Sequence, residues 1–88
     1  MTLKALIIDD EPRAIQLLEQ YLGYFTDCRV VATFRHPLRA FEYLQREPVD
    51  LILLDINMPH LSGLSLARMI DPTTPVIFTT AYAEFAAE

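Results

Sequence analysis

Leu3-Lys4-Ala5-Leu6-Ile7-Ile8-Asp9-Asp10-Glu11-Pro12 is the stretch on which the fold turns. Its first six residues are apolar but for Lys4, with no strict alternation of polar and apolar. A run of this kind suits a strand buried on both faces, which means a parallel sheet covered by helices. Three acids follow at once, and then Pro12. Proline is at home in the first turn of a helix, and Asp10 or Glu11 there would sit near the helix's positive end. Ile15, Leu18 and Leu22 then fall on one stripe that ends near Gly23, as an amphipathic helix with a glycine stop would. The chain therefore leaves a buried strand through a cluster of carboxylates and enters a helix.

The same pair of segments recurs outward from there. Arg29–Phe34, Leu51–Leu54 and Val76–Thr79 are short, apolar and largely β-branched or aliphatic. Leu38, Phe41 and Leu44 make a helical stripe after Pro37, and Leu64, Ala67 and Ile70 make another between Ser62-Gly63 and Pro72. Tyr82–Glu88 begins a further helical pattern. The order β-α-β-α-β-α-β-(α) predicts an α/β fold, a doubly wound parallel sheet with right-handed crossovers. Such a domain would continue with the rest of the fourth helix, another strand and a closing helix.

Composition bounds what this fold can do. Eighty-eight residues make one domain at most. With 52% hydrophobic residues the chain is too apolar for intrinsic disorder, and apolar enough for its size to expect that some surface meets another element or chain. The net charge of -5 argues against a nucleic-acid or anionic-membrane surface, which needs clustered Lys and Arg. Asp9, Asp10, Glu11 and Asp55 hold most of that imbalance. A single cysteine, Cys28, excludes an internal disulfide and a cysteine-built metal site and fits a reducing compartment. With no secretion signal and no apolar run of ~18 residues, a cytoplasmic location is expected.

In open parallel sheets, ligands bind beyond the carboxyl ends of the strands, where the strand order switches. Asp9-Asp10-Glu11 follow the first strand, Asp55-Ile56-Asn57-Met58-Pro59 the third, and Thr79-Thr80-Ala81 the fourth. If those strands are neighbours, three carboxylates and two hydroxyls converge on one rim. Converging carboxylates raise one another's pKa or recruit a cation. An all-oxygen donor set suits Mg²⁺ rather than zinc. Mg²⁺ beside carboxylates commonly serves phosphoryl transfer, and a carboxylate can itself be the nucleophile, giving an acyl phosphate. The plainer reading of Asp9-Asp10-Glu11 is a capping cluster worth ~0.3–1 kcal/mol per acid to the following helix.

These segments, Ile7-Ile8-Asp9-Asp10-Glu11-Pro12, Asp50–Pro59 with Gly63 beyond it, and Val76–Ala81, together resemble a two-component response-regulator receiver domain. Each is weak alone; in this order and spacing they are specific, and the resemblance spans the whole chain. The Phe78-Thr79-Thr80-Ala81-Tyr82 stretch is also similar to receivers joined to LytTR-type DNA-binding domains. The resemblance implies a flavodoxin-like fold, truncated before its fifth strand over residues 1–88. It implies Asp55 as the phosphoacceptor, supplied by a sensor histidine kinase. It implies Mg²⁺ held by the carboxylates of Asp10 and Asp55, by the backbone oxygen of Asn57, and by Asp9 through water. Thr80 would contact a phosphoryl oxygen as the switch hydroxyl, while Asn57 and Tyr82 occupy positions that tune the lifetime of the acyl phosphate. The protein would be a phosphoacceptor rather than a turnover enzyme, controlling an output domain outside this chain.

One departure stands out. Receivers carry a lysine followed by proline at the end of a fifth strand, and the sole lysine here is Lys4, in the first strand. An alternative expectation follows: a phosphorylation-independent module that forms a homodimer or swaps elements through the exposed fourth strand. A Mg²⁺-dependent phosphatase of the haloacid-dehalogenase kind fits poorly, because it needs Asp-x-Asp where this chain has Asp9-Asp10. His36 and His60 lack metal-ligand spacing and read as loop histidines. Cys28 reads as a small structural residue, and Tyr21, Tyr24, Phe25, Phe34, Phe41 and Tyr43 as core or half-exposed packing.

Overall fold

The computed structural model describes residues 2–58 and 61–79. Along the chain these form β1 (Leu3–Ile8), α1 (Pro12–Leu22), β2 (Cys28–Phe34), α2 (Pro37–Arg46), β3 (Leu51–Asp55), α3 (Gly63–Met69) and β4 (Val76–Thr79). The strands make one parallel sheet in the order β2-β1-β3-β4. This is the doubly wound α/β sheet of the sequence reading. β2 begins at Cys28 and β3 reaches Asp55, so the third strand ends on the carboxylate itself.

The two central strands explain the unbroken apolar runs. Ala5, Leu6, Ile7 and Ile8 of β1 are fully buried, as are Ile52 and Leu54 of β3. Leu6, Ile8, Ile52 and Leu54 point to one face and pack with Ala40 of α2 and Leu66 of α3. Ala5, Ile7 and Leu53 point to the other and pack with Ile15 of α1. Removing each Leu or Ile side chain from water stabilises the fold by roughly 1.5–3 kcal/mol. The sheet is thus sandwiched, with α1 on one side and α2 and α3 on the other.

Glu11 takes the N-cap of α1, its Oε1 accepting the Arg13 backbone N–H at 3.1 Å. Ile15, Leu18 and Leu22 form the buried stripe expected of that helix. In the other two helices Phe41, Leu44, Ala67 and Ile70 face inward as expected, and only the first residue of each expected stripe does not. Leu38 is 60% and Leu64 51% exposed, although both were expected inside. The buried face of α2 is Pro37, Ala40, Phe41 and Leu44, and that of α3 runs from Gly63 through Leu66 and Ala67 to Ile70. Each set has the i, i+3, i+4, i+7 spacing of one helical face counted from the first residue of the helix. Pro37 and Gly63 are themselves buried, so the inward face begins at the first residue of each helix. Tyr21, Tyr24 and Phe25, also expected to pack, are more than half exposed where α1 runs into β2. Phe34 and Tyr43 do pack, their rings 5.3 Å apart and tilted.

Among the described residues no helix is long and apolar enough to cross a membrane.

Candidate functional site

The chain leaves β1 toward β2 on one side and returns to β3 on the other, so the strand order switches between β1 and β3. A crevice opens at the carboxyl ends of strands at such a point. Strand alternation decides which side chains enter it. Asp9 is two residues beyond Ile7, and Asp55 two beyond Leu53, both of which pack on the α1 side. The two acids therefore emerge on the same side of adjacent strands. The ladders also run past the strand ends: Asp9 N–H donates to the Phe34 carbonyl at 3.0 Å and Ile56 N–H to the Thr79 carbonyl at 3.1 Å. Both residues are buried, at 5% and 6% exposure. With Glu11 used as the cap, Asp10 remains at the half-buried mouth. One carboxylate oxygen from each of Asp9, Asp10 and Asp55 lies within 4.8 Å of the others.

Both buried acids are oriented by the same local device. Asp9 Oδ1 accepts the Glu11 N–H at 2.9 Å, and Asp55 Oδ1 accepts the Asn57 N–H at 3.2 Å. A short side chain bonding to the backbone two residues on closes an Asx turn. Arg35, one residue past β2, donates from Nε to the Asp10 carbonyl at 3.4 Å and ties the β1–α1 turn to the end of β2.

The electrostatics are unfavourable to three anions. Burial pushes the Asp9 carboxyl up; the Glu11 N–H pulls against that and the charge of Asp10 adds to it. Burial likewise pushes Asp55 up, to about 6, opposed by the Asn57 N–H and reinforced by the charges of Asp9 and Asp10. Such a cluster is relieved by a proton or by a cation. The donors are hard carboxylate oxygens, matching Mg²⁺ chemistry, and among the described residues no nitrogen or sulfur joins them to favour zinc. The residues present therefore fit a hard divalent cation.

Most other residues that drew attention in the sequence can be placed. Thr79 pairs in register with Asp55, and its hydroxyl is buried without a hydrogen-bond partner among the described residues. Thr80, His60 and Tyr82 lie outside the described residues. Lys4 sits near the start of β1, the opposite end from Asp9, with its backbone N–H bonded to Asp50 Oδ2 at 2.8 Å. His36 is the exposed N-cap residue of α2 and makes no side-chain cap. Cys28 is half-buried at the start of β2, packed beside the α1-side core. Two participants, Arg35 and Gly63, carry little sign of their role in the sequence. Arg35 is signalled only by its place after an apolar strand. Gly63 is visible as a motif residue, but its contact with the end of β3 is not.

Known proteins resemble this chain in sequence and fold. A family model for the response regulator receiver domain matches residues 5–88. The response regulator protein PilR of Pseudomonas aeruginosa is 47% identical over 83 residues, which cover 90% of this chain and 18% of that protein. The transcriptional regulatory protein BtsR of Escherichia coli is 34% identical over 86 residues, 96% of this chain and 36% of that one. The chain thus spans about a third or less of the length of these relatives. The crystal structure of the response regulatory domain of protein mrkE from Klebsiella pneumoniae superposes with a TM-score of 0.81 at 36% identity, over 96% of this chain and 71% of that one. With the doubly wound sheet, the acid cluster at its switch point and a family match over nearly every residue, the chain belongs to the response regulator receiver domain family.

Proposed function

We propose that Asp55 is the phosphoacceptor of a Mg²⁺-dependent signalling switch. The convergence of Asp9, Asp10 and Asp55 carries this reading: a buried strand-end carboxylate has two further acids within 4.8 Å at the switch point of the sheet. In the reaction an Asp55 carboxylate oxygen attacks the phosphorus of a kinase phosphohistidine. The new O–P bond forms as the N–P bond breaks, and the freed imidazole keeps the electron pair. The carboxylates of Asp10 and Asp55 and the backbone oxygen of Asn57 would hold the metal, with Asp9 acting through water. Mg²⁺ supplies neutralisation of charge on the acids and on the transferring group. The Asn57 N–H bond to Oδ1 holds the Asp55 carboxylate in one orientation. Thr80 would donate its hydroxyl to a phosphoryl oxygen.

On this reading residues 1–88 are receiver throughout, and the chain is a substrate of phosphotransfer rather than a turnover catalyst. The partners are a sensor histidine kinase and an output domain. BtsR is named a transcriptional regulatory protein, which supports a DNA-binding output; the Phe78–Tyr82 stretch favours the LytTR type. Incubation with Mg²⁺ and acetyl phosphate, followed by intact-mass measurement, tests the reading. One added phosphoryl group is expected, absent with EDTA and absent in Asp55→Ala. An adduct that persists in Asp55→Ala refutes the assignment.

A second reading concerns self-association. β4 is the edge of the sheet among the described residues, and Ile77 and Phe78 are 51% and 41% exposed on its two faces. Unpaired edges with apolar side chains favour pairing with another strand. A homodimer through β4 would appear in sedimentation velocity, and Ile77→Lys would return it to monomer.

A further inference from the structure

Gly63 opens α3, is buried, and donates its N–H to the Ile56 carbonyl at 2.9 Å. The backbone of Asp55 and Ile56 lies where its side chain would be. A Cβ placed on Gly63 would stand 2.9 Å from both the Asp55 carbonyl carbon and the Ile56 Cα, and closer still to the Asp55 carbonyl oxygen. Those neighbours are main chain at the end of the sheet, where Asp55 and Thr79 are paired in register. They cannot swing aside as the tip of a flexible side chain would. Gly23, by contrast, would place a Cβ 3.2 Å from the Gln20 carbonyl oxygen, a contact that a small adjustment absorbs.

We propose that Gly63 is a positioning residue for the metal and phosphoryl site, its bare Cα setting the Asp55–Asn57 backbone from behind. This inference rests on the Asp55 phosphoacceptor reading and deepens it. The turn that Gly63 abuts is the one whose Asn57 N–H holds Asp55 Oδ1 at 3.2 Å. In that reading, its Asn57 carbonyl is also a metal donor. Any side chain at 63 must displace the Asp55–Ile56 peptide. It thereby misaims one carboxylate and one carbonyl together, a displacement that can cost on the order of 10²-fold in rate. Groups that orient metal ligands typically matter ~10–100-fold for metal affinity.

The test compares the wild type, Gly63→Ala and Leu66→Ala. Leu66 lies one turn along the same helix, is fully buried, and packs on the α2–α3 face of the sheet, opposite the face that Asp9 and Asp55 share with Ile7 and Leu53. Mg²⁺ affinity is measured by isothermal titration, and phosphorylation by acetyl phosphate is followed by intact mass, at a temperature where all three are folded by circular dichroism. Gly63→Ala is expected to bind Mg²⁺ at least ~10-fold more weakly and to accept phosphate ~10²-fold more slowly, with Leu66→Ala near wild type on both. Gly63→Ala matching the wild type overturns the proposal, as does equal loss in Leu66→Ala, which would make the effect one of general destabilisation. Should Gly63→Ala not fold under these conditions, it is refolded at low temperature with a stabilising osmolyte, and the backbone amide NMR shifts of Asn57 on Mg²⁺ addition are compared with those of the wild type in the same solution. Identical Mg²⁺-induced shifts overturn the proposal; a lost response at Asn57 with the β1 amides unchanged supports it. A wild type that takes no phosphate but binds Mg²⁺ refutes the phosphoacceptor reading separately.

Discussion

Replacing Asp55 by Asn is expected to make the folded protein more stable, provided that divalent cations are absent and the pH is above about 6. Asp55 rises from the usual carboxylate value of 3.8 to about 6. The folded state therefore opposes its ionisation by about two pKa units, an upper bound of ~3 kcal/mol. The mouth of the cleft is open at Asp10, so solvent screens part of this, and ~1–2 kcal/mol is the expected penalty. The direction follows from linkage. Below 3.8 the carboxyl is protonated in folded and unfolded chains alike, and the penalty is zero. Between 3.8 and about 6 the unfolded chain ionises while the folded one resists, so stability falls as pH rises; above about 6 the loss is complete and constant. Asn carries no charge and keeps an oxygen to accept the Asn57 N–H that Oδ1 accepts now. Urea unfolding in EDTA at pH 4, 5, 6 and 7.5 measures the difference. It should be near zero at pH 4 and ~1–2 kcal/mol in favour of Asp55→Asn at pH 7.5, a rise of roughly 5–10 °C in Tm for a domain of this size. Saturating Mg²⁺ should reverse the order, since a ligand at 100 times its Kd stabilises the wild type by ~2.7 kcal/mol. An Asp55→Asn variant no more stable than wild type at pH 7.5 in EDTA, or a difference that ignores pH, would refute the electrostatic account of the site.

Apparent Mg²⁺ affinity should weaken as pH drops through about 6, where Asp55 takes up its proton, by up to ~10-fold per unit below that; isothermal titration at pH 7.5 and 5 checks this. The inward face of α3 is checked by truncation: Leu66→Ala should cost ~2–5 kcal/mol and the exposed Leu64→Ala under ~0.5 kcal/mol, the reverse of what a stripe beginning at Leu64 implies. Ser62 caps α3 by accepting the Ser65 N–H at 3.1 Å. Ser62→Ala should therefore lower the urea-derived stability by ~1 kcal/mol.

The order of elements and the identity of the core strands are properties of the sequence by itself. Ala5–Ile8 and Ile52–Leu54 are apolar on consecutive residues, and only strands covered on both faces can bury such runs. The candidate acids were legible for a related reason. A buried strand that ends on an acid, followed by a helix-starting proline, places that acid at the rim by chain order alone. The helix faces were legible in Phe41, Leu44, Ala67 and Ile70 but not at the helix entries, where Leu38 and Leu64 compete with Pro37 and Gly63 for the inward position. The burial of Pro37 and Gly63 at the helix entries chooses between them. Nor could spacing show that Asp9 and Asp55 meet. That needed β1 and β3 to be neighbours in the order β2-β1-β3-β4, and both acids to share the alternation of Ile7 and Leu53. Asp10 and Glu11 were interchangeable as caps until the Arg13 N–H bonded to Glu11, leaving Asp10 to the cluster. Gly63 shows the division most plainly. Its place after the Asp55 segment is written in the sequence, whereas the reason it must lack a side chain is the backbone of Asp55 and Ile56 standing against it. Local pattern is carried by neighbours along the chain, but charge crowding and close backbone approach exist only once distant segments share a volume.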